Sequence, residues 1–204
     1  MTLKTWALAA VSAAALAIAG DAAAAPTAQC LWQALTPAER TSLTDQVTNN
    51  QPLGEVLRAR VVTGMQTCGF ESAESGAVRA GFLLAMMAYR TRVEVNLQTA
   101  SITPAVMARA YTALDRPFHE QLIAFARSRF TNTPPSPPDQ AKLTALMTRV
   151  NATTPEARSA VQSYLLIRAM TELAESQGAA FTPPQRPATA AAPAPTAAPP
   201  AGAR

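Results

Sequence analysis

The sequence is poor in the residues from which catalytic and metal-binding sites are usually built. It contains one histidine and two cysteines. The patterns HExxH, GxSxG, CxxC and CxxCH are absent, and so is a glycine-rich phosphate loop. These absences exclude the classes of zinc protease, hydrolase, redox protein and haem protein that depend on them. The methionines form no Met-x-x-Met run and no cluster with histidine, so we expect packing roles for them, with no metal and no cofactor.

Charge is also scarce and shows no clustering. Charged residues make up 15% of the chain, and the formal net charge is +4. The arginines are spread along the sequence, and no basic run is interleaved with aromatic residues. A nucleic-acid-binding surface normally shows such a footprint, so we expect no nucleic-acid partner.

Signals for β-strands are missing, whereas signals for helix starts recur. Strict alternation of apolar and polar residues is absent, and no glycine occurs between Gly81 and Gly178. A threonine followed by proline stands at Thr36, Thr103 and Thr154, and a weaker start stands at Ser136. Threonine at the N-cap accepts from free amides of the first turn, and proline suits the first helical position. The chain is therefore predicted to be helical.

The predicted fold class is all-α, an irregular bundle of about six or seven helices. Gly69 can take the left-handed conformation that ends a helix, and the proline after Arg116 predicts a break at Arg116. The third helix has apolar residues at spacings of three and four and on its flanks, so we expect it at the centre. The predicted helices span residues 37–49, 53–67, 72–99, 104–115, 117–130, 138–150 and 155–176.

Residues 1–24 have the layout of a secretory signal peptide. Lys4 supplies a positive start, residues 6–19 form an apolar run, and small residues follow. The run of about 14 residues is shorter than the ~20 that span a bilayer. We expect cleavage after Ala24 and no transmembrane segment afterwards. The chain has many more arginines than lysines, which suggests a bacterial source. We therefore expect a periplasmic or secreted protein of a bacterium. The alternative is an uncleaved anchor helix.

Residues 178–204 are almost entirely alanine and proline. Proline removes amide donors and fixes φ, so a helix or a sheet is not expected here. We predict a disordered, partly polyproline II tail. It is either a spacer or ligand for another protein, or an inert tail of a GC-rich genome. Between the two ends, residues 25–177 are predicted to form one all-α domain.

Cys30 and Cys68 are the only cysteines. In an oxidising compartment they are expected to form one disulfide, which would pin the start of the domain to the end of its second helix. The alternatives are a metal site, for which one histidine and two cysteines supply few ligands, and a redox pair, which would normally be CxxC.

His119 is the one candidate for a titrating site. Asp115 lies four residues before it, and Glu120 follows it directly. On an unbroken helix Asp115 could accept from the imidazole, which would suit a pH sensor or a general base. Pro117 disturbs that turn. We therefore expect His119 to be structural or exposed, and keep Asp115, His119 and Glu120 as candidates for binding or pH sensing.

The function expected from these features is a non-enzymatic envelope module that binds a protein, a peptide or an apolar molecule in a groove between helices. The alternative is an enzyme whose site is assembled from scattered residues near Asp115, His119 and Glu120. A structural subunit of an envelope complex cannot be separated from the first expectation by sequence. The i,i+4 pairs Arg90/Glu94 and Arg168/Glu172 are expected to lie on solvated helix faces.

Overall fold

The structure is a computed structural model that describes residues 26–131, 134 and 136–183. The predicted signal peptide and residues 184–204 of the predicted tail lie outside this range. The described residues form helices and no strand, which confirms the all-α fold class. The helices are α1 (Ala28–Gln33), α2 (Pro37–Thr48), α3 (Glu55–Thr67), α4 (Glu74–Thr99), α5 (Pro104–Thr112), α6 (Arg116–Ser128), α7 (Gln140–Arg149) and α8 (Pro155–Gln177).

Six of the eight described α-helices begin where threonine or aspartate offers a side-chain acceptor, whereas α3 and α4 begin after Gly54 and Ala73 without one. Thr36 forms a full capping box with Glu39, and Thr103 and Thr154 cap α5 and α8. Two starts differ from the prediction. The N-cap of α7 is Asp139 rather than Ser136, and Thr27 caps α1, a helix of six residues too short to show a periodic pattern.

Four helices end in the same way, with a residue of positive φ just after the last turn. Gly69 has φ 70°, as predicted, and Asn50, Ser101 and Asn151 have φ near 60°. After each one, the next amide bonds back to a carbonyl five residues earlier, as in a Schellman motif. These amides satisfy backbone carbonyls of the last turn that have no partner within the helix.

The long helices α4 and α8 form the centre of the fold. The first half of α4 packs in one apolar cluster with the C-terminal part of α8, through Leu83, Leu84 and Ala174. The second half of α4 packs in another cluster with the N-terminal part of α8, through Leu97 and Val161. The two helices are therefore antiparallel, and each contributes to both clusters. This confirms the expectation that the third predicted helix is central.

The disulfide between Cys30 and Cys68 is present and joins α1 to the residue that ends α3. The linked residues are 38 positions apart, and their Cα atoms are 5.9 Å apart. The bond holds α1 in the first cluster, where Leu31 is buried. The predicted pairing is confirmed.

The packed chain continues beyond α8. Gly178 has φ 53° and ψ −132°, a conformation that suits glycine, and starts a short 3-10 turn. Phe181 follows and is 5% exposed, with its ring 5.0 Å from Phe82 and 5.7 Å from Phe130. The packed domain therefore reaches Phe181, although the sequence predicted its end at residue 177. Phe181 belongs to the first apolar cluster.

The break near Arg116 is present but displaced. Helix α5 ends at Thr112, and Asp115 is the N-cap of α6. Arg116 is therefore the first residue of the new helix. The aspartate side chain accepts from an amide three residues on, which decides the boundary.

In the described part of the chain no helix is long and apolar enough to cross a membrane.

Two glycines of α4 give a matched test of this packing. A Cβ on Gly76 would collide with the backbone carbonyl of Glu71, with the carbonyl carbon only 2.9 Å away, whereas a Cβ on Gly81 would have no atom within 4 Å. Gly76→Ala should lower the free energy of unfolding by about 1–3 kcal/mol. Gly81→Ala should raise it by about 0.5–1 kcal/mol, since alanine favours helix. Urea unfolding measures both, and effects of equal sign would contradict the described α3–α4 turn.

Candidate functional site

His119 lies on α6 and makes its polar contacts with two other helices. Its Nε2 is 3.0 Å from Oε2 of Glu172 on α8 and 3.3 Å from the hydroxyl of Tyr111 on α5. The Tyr111 hydroxyl also donates to the same oxygen of Glu172, at 3.0 Å. The three side chains thus link α5, α6 and α8. The His119 side chain is 29% exposed, which places it at the rim of the bundle rather than in open solvent.

Asp115 and Glu120 do not join His119. Asp115 has an extended backbone as the N-cap of α6, so the i,i+4 contact expected from an unbroken helix does not form. Its carboxylate accepts from the Phe118 amide and from Nζ of Lys142, at 2.6 Å. The Lys142 contact, followed by the Phe118 amide, holds the pKa of Asp115 below its ordinary value. Glu120 is exposed and pairs with Arg116 at 2.8 Å.

A row of polar side chains on α8 continues from this contact into the bundle. Tyr164, Arg168 and Glu172 stand four residues apart and so share one face. The Arg168 guanidinium lies over the ring of Tyr111, with 5.2 Å to the ring centroid. On the other side Arg90 lies 5.8 Å from the ring centroid of Tyr164. The row is a polar seam between α4, α5, α6 and α8.

The two i,i+4 pairs of the sequence take different roles in this seam. Arg90 and Glu94 do pair, at 2.7 Å, with each side chain 23% exposed, so the pair is half-buried rather than fully solvated. Glu172 is instead occupied by Tyr111 and His119, and among the described residues Arg168 forms no ion pair with it. The expected solvated face is therefore present only in part, since the Glu172 side chain is 48% exposed while the Arg90/Glu94 pair is half-buried.

The chemistry of the seam is that of structural tyrosines. Burial, followed by the charge of Glu172, raises the pKa of Tyr111 well above its ordinary value. Burial also raises the pKa of Tyr164, whose hydroxyl is fully buried with no hydrogen-bond partner in the described residues. Both phenols therefore stay neutral at physiological pH. Within residues 26–183 as described, no group of three histidine, cysteine, aspartate or glutamate side chains could hold a metal ion.

An apolar cleft lies on another side of α8, between α6, α7 and the segment that joins them. We call it the α6–α8 cleft, and its volume is about 350 Å³. Leu122 and Phe125 of α6, followed by its C-cap residue Arg129, form one wall. Arg129 is the one charged residue of the lining, and its guanidinium lies 4.9 Å from the centroid of the Phe125 ring. The other lining residues are Pro137, Pro138, Gln140, Leu143, Ser159, Gln162, Ser163, Leu165 and Leu166.

Other surfaces are weaker candidates. A second depression beside the cleft is more open and is lined mostly by polar and small side chains of α4 and α8, such as Asn96 and Ser159. The large apolar residues exposed in the described chain lie on α3 and α4. Val56 and Val62 on α3 are six residues apart, about 240° round the helix, so they do not form one face. Exposed side chains of this kind are normal on a surface.

The cleft was not among the sites predicted from the sequence, although the sequence carries a signal for part of its lining. The spacing of Leu122 and Phe125 indicates an apolar face of α6, and the helix is strongly amphipathic. Arg129 follows Phe125 by four residues, so the same spacing places it on that face. This is the signal that could have identified it. Helix periodicity shows that α6 has an apolar face. It does not show which part of that face the rest of the chain leaves uncovered.

No protein-family model, no curated protein and no solved structure matches this chain. The function is therefore argued from the residues and their geometry.

The tyrosine of the polar seam predicts a loss of stability in alkali. The pKa of Tyr111 is raised in the folded state above the ordinary value of 10.0. Its contribution to the free energy of unfolding is fully present below pH 10 and is lost as the pH rises above that value. Between about pH 9 and about pH 11.5 the wild-type protein should lose stability more steeply than Tyr111→Phe. Tyr164 acts with the same sign, so the slope in that variant should be reduced and not abolished.

Urea unfolding across this pH range measures both slopes. Tyr89→Phe is the matched control, because Tyr89 is 40% exposed and its hydroxyl donates to the backbone carbonyl of Val47 rather than to a carboxylate. It should keep the wild-type slope. Equal slopes for wild type and Tyr111→Phe would contradict the buried Tyr111–Glu172 contact.

Proposed function

We propose that the protein is an exported, non-enzymatic binding module of the bacterial envelope and that it holds an apolar ligand in the α6–α8 cleft. The observation that carries the proposal is the cleft itself. Its volume of about 350 Å³ lies in the range of small-molecule sites, and leucine, proline and phenylalanine side chains supply most of its lining. An apolar ligand of that size would bury its surface without needing catalytic groups.

Two features support export. The layout of residues 1–24 is that of a signal peptide. The disulfide between Cys30 and Cys68 is of a kind that persists in oxidising compartments and is rare in the bacterial cytosol. Together they favour a periplasmic or secreted location, where a small binding module could carry an apolar molecule or dock an envelope protein or peptide.

The contacts of His119 favour binding over catalysis. The enzyme alternative placed Asp115, His119 and Glu120 in one site. In the described structure Asp115 instead pairs with Lys142 and caps α6, and Glu120 pairs with Arg116. His119 hydrogen-bonds to side chains that tie α5, α6 and α8 together. The arrangement therefore supports a structural role for the histidine.

Export can be tested by the mass of the protein recovered from the periplasm of an expressing bacterium. We expect a chain that lacks residues 1–24 and is lighter by two hydrogens because of the single disulfide. Reduction should restore that mass difference. A full-length chain in the membrane fraction, or two free thiols in the periplasmic protein, would contradict the export part of the proposal.

Binding can be tested by filling the cleft. Gln162 is exposed and lines the cleft, so Gln162→Trp should occupy part of it. With the neutral apolar probe N-phenylnaphthylamine, wild type should show saturable fluorescence enhancement. Gln162→Trp should weaken the probe's affinity about tenfold, which corresponds to roughly 1.4 kcal/mol. Gln98→Trp, an exposed glutamine of α4 outside the cleft, is the matched control and should bind as wild type does.

Two results would overturn this assignment. The first is a wild-type protein that does not bind the probe. The second is equal binding by Gln162→Trp and wild type, which would place the bound probe elsewhere. Near-ultraviolet circular dichroism of each variant checks that the tertiary packing is retained.

A further inference from the structure

Arg129 gives the α6–α8 cleft a charge of one sign. It is the one charged residue among the residues that line the cleft. In the described part of the chain no acidic side chain forms an ion pair with it. Asp139, next to the lining residue Gln140, is engaged as the N-cap of α7, where it accepts from two backbone amides. The cleft therefore carries an uncompensated positive group.

Arg129 is exposed, and its guanidinium contacts an aromatic ring rather than a counter-ion among the described residues. Its carbon lies 4.9 Å from the centroid of the Phe125 ring, close enough for a cation–π contact. A guanidinium that stacks its face on a ring keeps its edge donors available. A planar fork of donors matches the oxygens of a carboxylate, sulfonate or phosphate.

The charge lies at one end of an apolar wall. Leu122, Phe125 and Arg129 follow each other along α6, and at 1.5 Å per residue the wall from the first to the last is about 10 Å long. Leu143, Leu165 and Leu166 lie opposite, from α7 and α8. An apolar body of that length would reach from the leucines to the guanidinium.

We propose that the natural ligand of the cleft is an amphipathic anion, with its acidic head on Arg129 and its apolar body between α6, α7 and α8. This inference rests on the proposed function, because it assigns a ligand class to the same cleft. Charge complementarity carries it: an acidic head pairs with the single arginine, and the remaining lining offers no charge to any other part of the ligand. Gln140 and Ser159 can donate hydrogen bonds at the rim.

The test compares two probes with similar aromatic rings, one anionic and one neutral. Anilinonaphthalene sulfonate carries the acidic head, and N-phenylnaphthylamine lacks it. Arg129→Gln should weaken the affinity for the sulfonate about three- to fivefold, because one exposed ion pair is lost, and should leave the affinity for the neutral probe within about 1.5-fold.

Arg127→Gln is the matched control. Arg127 is exposed on the same helix, two residues away, and lines a separate depression with Ala124 and Ser128. It removes the same charge and should leave both affinities unchanged. If both arginine variants weaken the sulfonate equally, the attraction is a general charge effect and the Arg129 site is wrong.

The remaining outcomes separate the two proposals. If wild type binds the neutral probe in the cleft but Arg129→Gln leaves sulfonate binding unchanged, the amphipathic-anion inference fails while the binding module stands. If Arg129→Gln weakens the binding of both probes equally, the arginine contributes to the shape of the cleft but does not pair with the anionic head. The inference then also fails. If wild type binds neither probe, the proposed function fails with it.

Discussion

The antiparallel packing of α4 against α8 is the constraint on which the rest of the structure depends. Each helix contributes to both apolar clusters, one around Leu83 and Ala174 and the other around Leu97 and Val161. The shorter helices bury their apolar faces by packing onto this pair. A single long helix pair thus lets a chain with 5% aromatic residues build two cores. At both of its ends α8 is fixed, by the Thr154 cap and by the turn into Phe181.

Helix α8 contributes side chains to the polar seam on one side and to the α6–α8 cleft on another. In the seam Tyr164, Arg168 and Glu172 meet side chains of the neighbouring helices, and the tyrosines are kept neutral by burial. In the cleft Leu166 is half-buried and Leu165 is 1% exposed, and the lining residues Pro137 and Pro138 come from the stretch just before α7. The His119–Glu172 contact of the seam links α6 to α8 through two residues that are not among those that line the cleft.

The sequence predicted the fold class, seven of the helices and the disulfide because these follow from local chemistry. Threonine–proline starts, the capping box at Thr36 and the glycine end at Gly69 act over a few residues. The candidate site was less accessible. The sequence indicated through Pro117 that the turn joining Asp115 to His119 is disturbed, and Asp115 caps α6, but it did not show that His119 contacts Glu172, 53 residues away. Such a contact depends on how α6 lies on α8. The burial of Phe181 likewise depends on rings from α4 and beyond α6, which no local pattern shows.

The most direct measurement of the central claim is a nitrogen–proton correlation spectrum of the isotope-labelled, oxidised chain, titrated with anilinonaphthalene sulfonate. Backbone amide shifts map where the probe binds without altering any side chain. The account predicts saturable shifts confined to residues of α6, α7 and α8 that line the cleft, including Phe125 and Leu166, with the amides of Leu43 and Leu57 unchanged. Shifts centred on α2 and α3, or no saturable shifts at all, would contradict a ligand site in the α6–α8 cleft.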